Sequence, residues 1–203
     1  MNKLIIFDLD GVIFNSKSNM NKAWREVRNK LKLNISFNEY FNNIGIPFNK
    51  ILKKLKIKKN LFLKISKIYK ETSIKKNNYI KVYPGVKSTI SYLKKKNYKL
   101  AILTSKERSR TLKLLKKFNL KFKHVQCPTT QNIGKPNPKI LNILNKKLNF
   151  DKKRIFYIGD TQVDYLFAKK SKINFIFCNY GYGKIFNKSV LYINKFSDLK
   201  KIF

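Results

Sequence analysis

Acidic residues are scarce: ten Asp and Glu stand against 47 Lys and Arg in 203 residues, for a formal net charge of +37. Cysteine and histidine are scarcer still, with two copies and one. Cys127 and Cys178 lie far apart and form no CxxC pair, and His124 stands alone, so neither a disulfide framework nor a zinc site organises this chain. A reducing, cytoplasmic setting is the expectation. No uninterrupted apolar run approaches the roughly 20 residues that a membrane helix needs. The apolar stretch 4–14 looks briefly like a signal-peptide core, but Asp8 and Asp10 interrupt it and no small-residue cleavage site follows. The mature chain is therefore expected to start at Met1 and to be soluble, with no membrane partner.

What is abundant is lysine, which supplies 42 of the 47 basic residues. Summed positive charge attracts phosphate, so a nucleic-acid partner is one reading of it. The excess is spread along the whole chain rather than gathered in a stripe, and Asn, Ile, Phe and Tyr are also plentiful. A strong AT bias in codon usage produces that composition without selection for binding, and no specific nucleic-acid partner is expected. The 43% apolar content suffices for the core of one domain, or of one core with a modest insertion.

Periodicity divides the chain. Residues 3–9 are an apolar, β-favouring run leading through Gly11 to a second apolar stretch at 12–14, a buried strand ending in a tight loop. From 16 to about 78 the spacing turns helical, with Met20, Ala23, Trp24, Val27 and Leu31 on one face and Leu61, Ile65, Ile68 and Tyr69 repeating it later. Beyond Tyr83-Pro84-Gly85, strands at 99–103, 124–127, 154–158, 175–178 and 190–193 alternate with helices at 86–95, 108–118, 140–148 and 163–170. Asn137-Pro138 is a good helix start. Alternation of this kind predicts an α/β fold: a doubly wound parallel-sheet, Rossmann-like core made of 1–15 and 80–203. Residues 16–79 form a small helical cap inserted after the first strand.

With so few acids, their positions carry information. Asp8 and Asp10 end the first strand, and Asp160 and Asp164 flank the end of a later one, at the sheet edge where open α/β sheets bind ligands. A hard cation such as Mg²⁺ takes oxygen ligands, usually one or two carboxylates plus substrate phosphate, and Asp8 and Asp160 can supply them. A carboxylate can attack phosphorus to give an aspartyl-phosphate, while a second carboxyl group protonates the leaving oxygen and later activates water. Thr104 and Ser105 end another strand with hydroxyls able to donate to phosphoryl oxygens. Lys135, between Gly134 and Pro136, places an ammonium that can balance the carboxylates and hold the phosphoryl group.

Four stretches together resemble the haloacid dehalogenase-like hydrolase superfamily, and within it the phosphoglycolate phosphatase-like branch with a helical cap. They are Phe7-Asp8-Leu9-Asp10-Gly11-Val12, Leu103-Thr104-Ser105, Gly134-Lys135-Pro136 and Gly159-Asp160-Thr161-Gln162-Val163-Asp164, in the family's order and spacing. The resemblance implies Asp8 as nucleophile and metal ligand, and Asp10 as general acid and base with its carbonyl also on the metal. It further implies Thr104 and Lys135 on the phosphoryl group, Asp160 as an Mg²⁺ ligand and Asp164 as a support of the metal site. Dehalogenases of the superfamily resemble this sequence but lack an aspartate at the position of Asp10, so a phosphoryl substrate is implied. In the cap, Gly45-Ile46-Pro47-Phe48 resembles the segment that faces the active site of capped relatives, making Gly45 a candidate substrate-binding residue.

Plainer roles stand beside these. Asp160 and Asp164 can cap a helix N-terminus, Thr104 can be a β-branched strand residue, Lys135 a solvated loop charge and Gly45 an ordinary turn. Arg25 and Arg28 fit a solvated helix face, while His124 and both cysteines fit structural positions. The leading function is an Mg²⁺-dependent phosphatase acting on a small phosphorylated metabolite through an aspartyl-phosphate. A sugar-phosphate mutase akin to β-phosphoglucomutase uses the same core residues, and a basic nucleic-acid-binding module is the third reading. Substrate and oligomeric state are not legible.

Overall fold

A computed structural model describes residues 3–131, 133–185 and 189–203. Met1, the expected start of the mature chain, lies outside them. Six strands build one parallel sheet: β1 (Leu4–Phe7), β4 (Lys99–Leu103), β5 (His124–Gln126), β6 (Ile155–Gly159), β7 (Asn174–Cys178) and β8 (Tyr192–Ile193). Their order is β5-β4-β1-β6-β7-β8, so the chain winds outward from β1 in one direction and then returns to wind outward in the other. The direction reverses between β1 and β6, and in such sheets that switch point opens a crevice at the carboxyl ends of the strands. The crevice is where Asp8 and Asp160 sit.

The period-2 pattern of β1 explains why it is central. Ile5 and Phe7 face one apolar cluster and Leu4 and Ile6 the other, and all four are fully buried. Each such side chain contributes roughly 1.5–3 kcal/mol relative to exposure. The first cluster is closed by α5 (Val86–Lys95), α6 (Arg108–Lys117) and the terminal α9 (Leu199–Ile202), the second by α7 (Lys139–Asn145) and α8 (Gln162–Ser171). Helices cover both faces, as the α/β expectation required. Asn137 accepts the backbone N–H of Lys139 at 3.0 Å, serving the start of α7 as its position suggested.

Between residues 16 and 80 the described elements are helical: α1 (Lys17–Leu31), α2 (Phe37–Phe41), α3 (Phe48–Lys54), α4 (Phe62–Lys75) and two short 3₁₀ turns. Met20, Ala23, Trp24 and Val27 of α1 meet Ile65 and Tyr69 of α4 in an apolar cluster separate from those of the sheet. Trp24 stacks on Tyr40 at 4.5 Å, and its indole N–H donates to the Ile35 carbonyl at 2.9 Å. The chain leaves and re-enters the sheet through a two-stranded antiparallel ribbon, β2 (Phe14–Asn15) with β3 (Lys81–Val82). The apolar stretch at 12–14 therefore turns and pairs with β3 rather than extending β1, because Gly11 bends the backbone at φ +86°. Among the described residues, no helix is long and apolar enough to cross a membrane.

Candidate active site

Asp8 follows the last residue of β1, and its N–H donates to the Ile158 carbonyl of β6 at 2.9 Å, which pins its backbone between the central strands. One carboxylate oxygen, Oδ2, lies 3.0 Å from Lys135 Nζ. The other, Oδ1, is buried with no hydrogen-bond partner. Asp160, fully buried after β6, repeats the pattern: its Oδ2 accepts the backbone N–H of Tyr182 at 2.7 Å, and its Oδ1 is also buried and unpartnered. An orphaned buried carboxylate oxygen is costly. With one carboxylate oxygen each from Asp8, Asp160 and Asp164 lying within 4.8 Å of the others, the cluster could hold a cation. The donors are all oxygen, which fits Mg²⁺ and not a metal that prefers sulfur or imidazole.

Asp164 differs from its neighbours because its carboxylate is already engaged. Oδ1 accepts from Lys135 Nζ at 2.6 Å and from the Tyr157 hydroxyl at 3.2 Å. Oδ2 accepts from the N–H of Asp160, the N–H of Thr161 and the Thr161 hydroxyl. With Thr161 as N-cap of α8, this is a capping box. Its most direct geometric effect is to aim Lys135. That ammonium is fully buried between Asp164 and Asp8, with the Tyr157 ring 5.5 Å away.

The electrostatics follow. Burial pushes the Asp8 carboxyl up to about 6 from its ordinary 3.8, and the opposing pull of Lys135 only partly offsets it. Burial, then the charges of Asp164 and Asp8, hold Asp160 well above its usual range. For Lys135 burial acts downward, but Asp164 and Asp8 outweigh it and the ammonium is held above its ordinary value. The cluster is short of positive charge, which a divalent cation would supply. A carboxyl whose folded pKa is raised favours the fold below pH 3.8 and loses that contribution as pH rises through about 6, on the order of 3 kcal/mol by pH 7. The metal-free protein is thus expected to lose stability over that window, and Mg²⁺ to raise the melting temperature strongly at pH 7 but little at pH 4.5. Melting curves in chelator and in Mg²⁺ at both pH values measure this.

Glycine makes the approach to Asp160 possible. A Cβ on Gly11 would stand 2.0 Å from Asp160 Oδ2, and one on Gly181 would stand 2.2 Å from Asp160 Cβ. Gly181→Ala is expected to displace Asp160 and raise the Mg²⁺ concentration for half-maximal effect by about tenfold or more, as disturbed supports of metal ligands do. Titration of the Mg²⁺-dependent melting shift tests it; an unchanged midpoint would show that Asp160 does not need this packing.

Asp10 lies at the mouth of the site rather than in the buried cluster. Its Oδ1 accepts the Ser16 hydroxyl at 2.6 Å, and its Oδ2 pairs with Lys106 Nζ at 2.8 Å. Lys106 is itself buried, which lowers its pKa, and Asp10 opposes that shift. Thr104 follows β4 and is almost fully buried, and its Oγ1 accepts the N–H of Lys106 at 3.2 Å. Ser105 turns the other way: its hydroxyl donates to the Gly45 carbonyl at 2.6 Å, tying β4 to the turn before α3. Gly45 and Ser105 thus meet each other, and both line the cavity above Asp8. That cavity, of about 470 Å³, is floored by Asp8, Asp10, Thr104 and Lys106 and roofed by the helical segment. Arg25 is exposed and Arg28 half-buried, His124 lies on edge strand β5, and both cysteines are buried and free.

Sequence reasoning passed over Tyr182 and Ser16. Tyr182 fixes Asp160 through its N–H, and its hydroxyl accepts the Ser16 N–H at 2.5 Å, so one residue braces both Asp160 and the start of α1. The Gly181-Tyr182-Gly183 triplet just after a strand was the available signal, since adjacent glycines mark close backbone approach.

A parallel sheet that gathers carboxylates, a buried ammonium and hydroxyls at its switch point is a doubly wound α/β core whose groups could hold a cation and a phosphoryl group. The chain belongs to the haloacid dehalogenase-like hydrolase family, which it matches over residues 5–178. A phosphoglycolate phosphatase of Pasteurella multocida is 31% identical over 104 residues, covering 50% of this chain and 46% of that protein. The aligned part thus spans about half the length of such relatives. A phosphorylated carbohydrates phosphatase of Thermotoga maritima is 25% identical over 179 residues, 85% of this chain and 83% of that one. Among solved structures, a hydrolase from Pseudomonas syringae superposes with TM-score 0.87 at 23% identity, covering 99% of this chain and 97% of that chain. A haloacid dehalogenase-like family protein from Streptococcus pneumoniae gives 0.85 at 19%, covering 100% and 98%. At these identities the structures speak for the fold.

Proposed function

We propose that this chain is a phosphatase that hydrolyses small phosphate monoesters through an aspartyl-phosphate on Asp8, with Mg²⁺ held by Asp8, Asp160 and the Asp10 carbonyl. The observation that carries the reading is the pair of orphaned buried oxygens on Asp8 and Asp160 beside a fully buried Lys135. Bound there, Mg²⁺ would neutralise phosphoryl charge and screen the carboxylates from the incoming ester.

The chain's own groups do the rest. Lys135, aimed by Asp164, steadies the attacking carboxylate and then the transferred group. Thr104 offers a hydroxyl to a phosphoryl oxygen. Asp10, held by Ser16 and Lys106, gives a proton to the leaving oxygen and later takes one from the water that cleaves the acyl phosphate. Ser105 and Gly45 act together as a contact between core and cap and line the leaving-group side. Residues 16–79 act as the cap: the chain enters and leaves them through the ribbon of β2 and β3, and the cavity lies beneath them. Their closure excludes bulk water from the phosphoenzyme. Two buried free cysteines agree with a reducing, cytoplasmic setting.

The test is release of phosphate from p-nitrophenyl phosphate by the purified chain in Mg²⁺ and in chelator. Release that depends on Mg²⁺ supports the reading, and release indifferent to chelator would remove the metal from it. A screen of phosphorylated metabolites then ranks substrates.

A further inference from the structure

The cavity extends well past the phosphoryl end. At about 470 Å³, and with about 30 Å³ per water-sized group, it accommodates on the order of fifteen non-hydrogen atoms, of which a phosphate takes five. The remaining space is bounded by Tyr40, Phe48 and Tyr69. Phe48 and Tyr69 pack at 4.8 Å between ring centroids, and Tyr40 donates to the Tyr69 hydroxyl at 2.9 Å.

Four cations line this cavity, and each has a partner. Lys106 pairs with Asp10 and Lys70 with Glu107, at 2.8 and 2.6 Å, while Arg108 donates to the Val125 carbonyl at 3.0 Å. Arg110 is different. Its guanidinium lies over the Tyr69 ring, 5.2 Å from the centroid, and donates to the Ser73 hydroxyl at 2.6 Å. Ser73 is buried and in turn donates to Asn19 Oδ1 at 2.7 Å, while Asn19 donates to the carbonyls of Ser73 and Lys76. A buried network of the helical segment thus grips a side chain that belongs to α6 of the core. In so basic a chain a solvated cation needs no role, but one stacked on a buried ring, anchored by a buried hydroxyl and facing a cavity is a built feature. A guanidinium carries five donors in one plane, so most remain for an anion.

We propose that Arg110 is a specificity-determining residue that selects phosphate monoesters whose leaving group carries a second anion, a carboxylate or a phosphate. The body of that leaving group, on the order of ten non-hydrogen atoms, lies against Tyr69 and Phe48. This inference rests on the phosphatase reading above. Because Ser73 steadies Arg110 only while the helical segment is down on the core, anion recognition and closure reinforce each other.

Two matched pairs of esters test it. The first is 4-carboxyphenyl phosphate against its uncharged carboxamide, and the second is 1,3-propanediol bisphosphate against 1,3-propanediol monophosphate. The wild type is expected to favour the anionic member of at least one pair by about tenfold or more in kcat/KM, the factor one charge-assisted hydrogen bond commands. Which pair shows the preference identifies the anion. Arg110→Gln brings that ratio close to one, and Arg110→Lys, which keeps the charge but not the fork, gives an intermediate ratio. A wild-type ratio near one in both pairs, or a preference that survives Arg110→Gln, overturns the assignment. If no ester releases phosphate, the phosphatase reading falls instead. Arg110 is then judged by calorimetric titration of Asp8→Asn with the same esters, where adding Arg110→Gln must collapse the ratio of dissociation constants, and an uncollapsed ratio overturns the inference.

Discussion

The Asp8→Asn variant is expected to release phosphate at least about 10⁴-fold more slowly than wild type, the scale of loss when a covalent nucleophile is removed. The amide keeps the shape and can still receive Lys135, but it offers no charged oxygen for attack and weakens the cation site. Stability is expected to move the other way. Burial makes the ionised Asp8 unfavourable at neutral pH, as its pKa of about 6 records, and asparagine carries no such penalty. In chelator at pH 7 the variant therefore melts no lower than wild type. Phosphate release and melting temperature, measured on the same preparations, separate a lost nucleophile from a lost fold. Turnover equal to wild type would dismiss Asp8 as nucleophile.

Lys135→Met is expected to damage the protein in both respects. It leaves the carboxylates of Asp8, Asp160 and Asp164 together in a buried site with no counter-charge, and breaking a buried ion pair from one side costs about 3–5 kcal/mol. Urea unfolding reads this directly. Activity falls by about 10²–10³-fold as well, the usual effect of losing one electrostatic stabiliser of the transferring group. The control is Lys64→Met on an exposed face of α4, where a change within about 0.5 kcal/mol is expected. Adding Asp164→Asn to Lys135→Met should recover part of the stability, because it removes one of the stranded charges. Losses as small as those of Lys64→Met would mean that Lys135 is not the counter-charge of this site.

Much of the architecture was legible along the chain. The strand 99–103 and the helix 86–95 are found at their expected bounds, because burial on two faces or on one stripe writes a period of 2 or 3.6 directly into the residues. The helix expected at 140–148 is found as Lys139–Asn145, and the strand expected at 190–193 shortens to Tyr192–Ile193. At chain ends of elements local pattern competes with caps and turns. The terminal helix Leu199–Ile202 escaped notice because four residues hold barely one turn of pattern.

Individual residues show where such reading stops. Asp8, Asp10, Asp160 and Lys135 stood out because acids are rare here and because Gly and Pro frame the lysine. Ser105 was matched to a phosphate role from its neighbours in sequence, yet its hydroxyl faces Gly45, 60 positions away. Asp164, expected to support the metal site, belongs to the carboxylate cluster, and its oxygens also meet Lys135, Tyr157 and Thr161, partners that local spacing does not reveal. Nothing in the local pattern sets Arg110 apart among 47 basic residues.

By itself the sequence determined the alternation of strands and helices, the inserted helical stretch and the set of scarce acids at strand ends, since each is written in local spacing and composition. Only the tertiary structure decided which oxygen of each carboxylate stays unpartnered, which lysine lies buried between Asp8 and Asp164, and which arginine faces the cavity. Those are matters of distance between elements far apart in the chain, and distance of that kind is set by how sheet and helices pack.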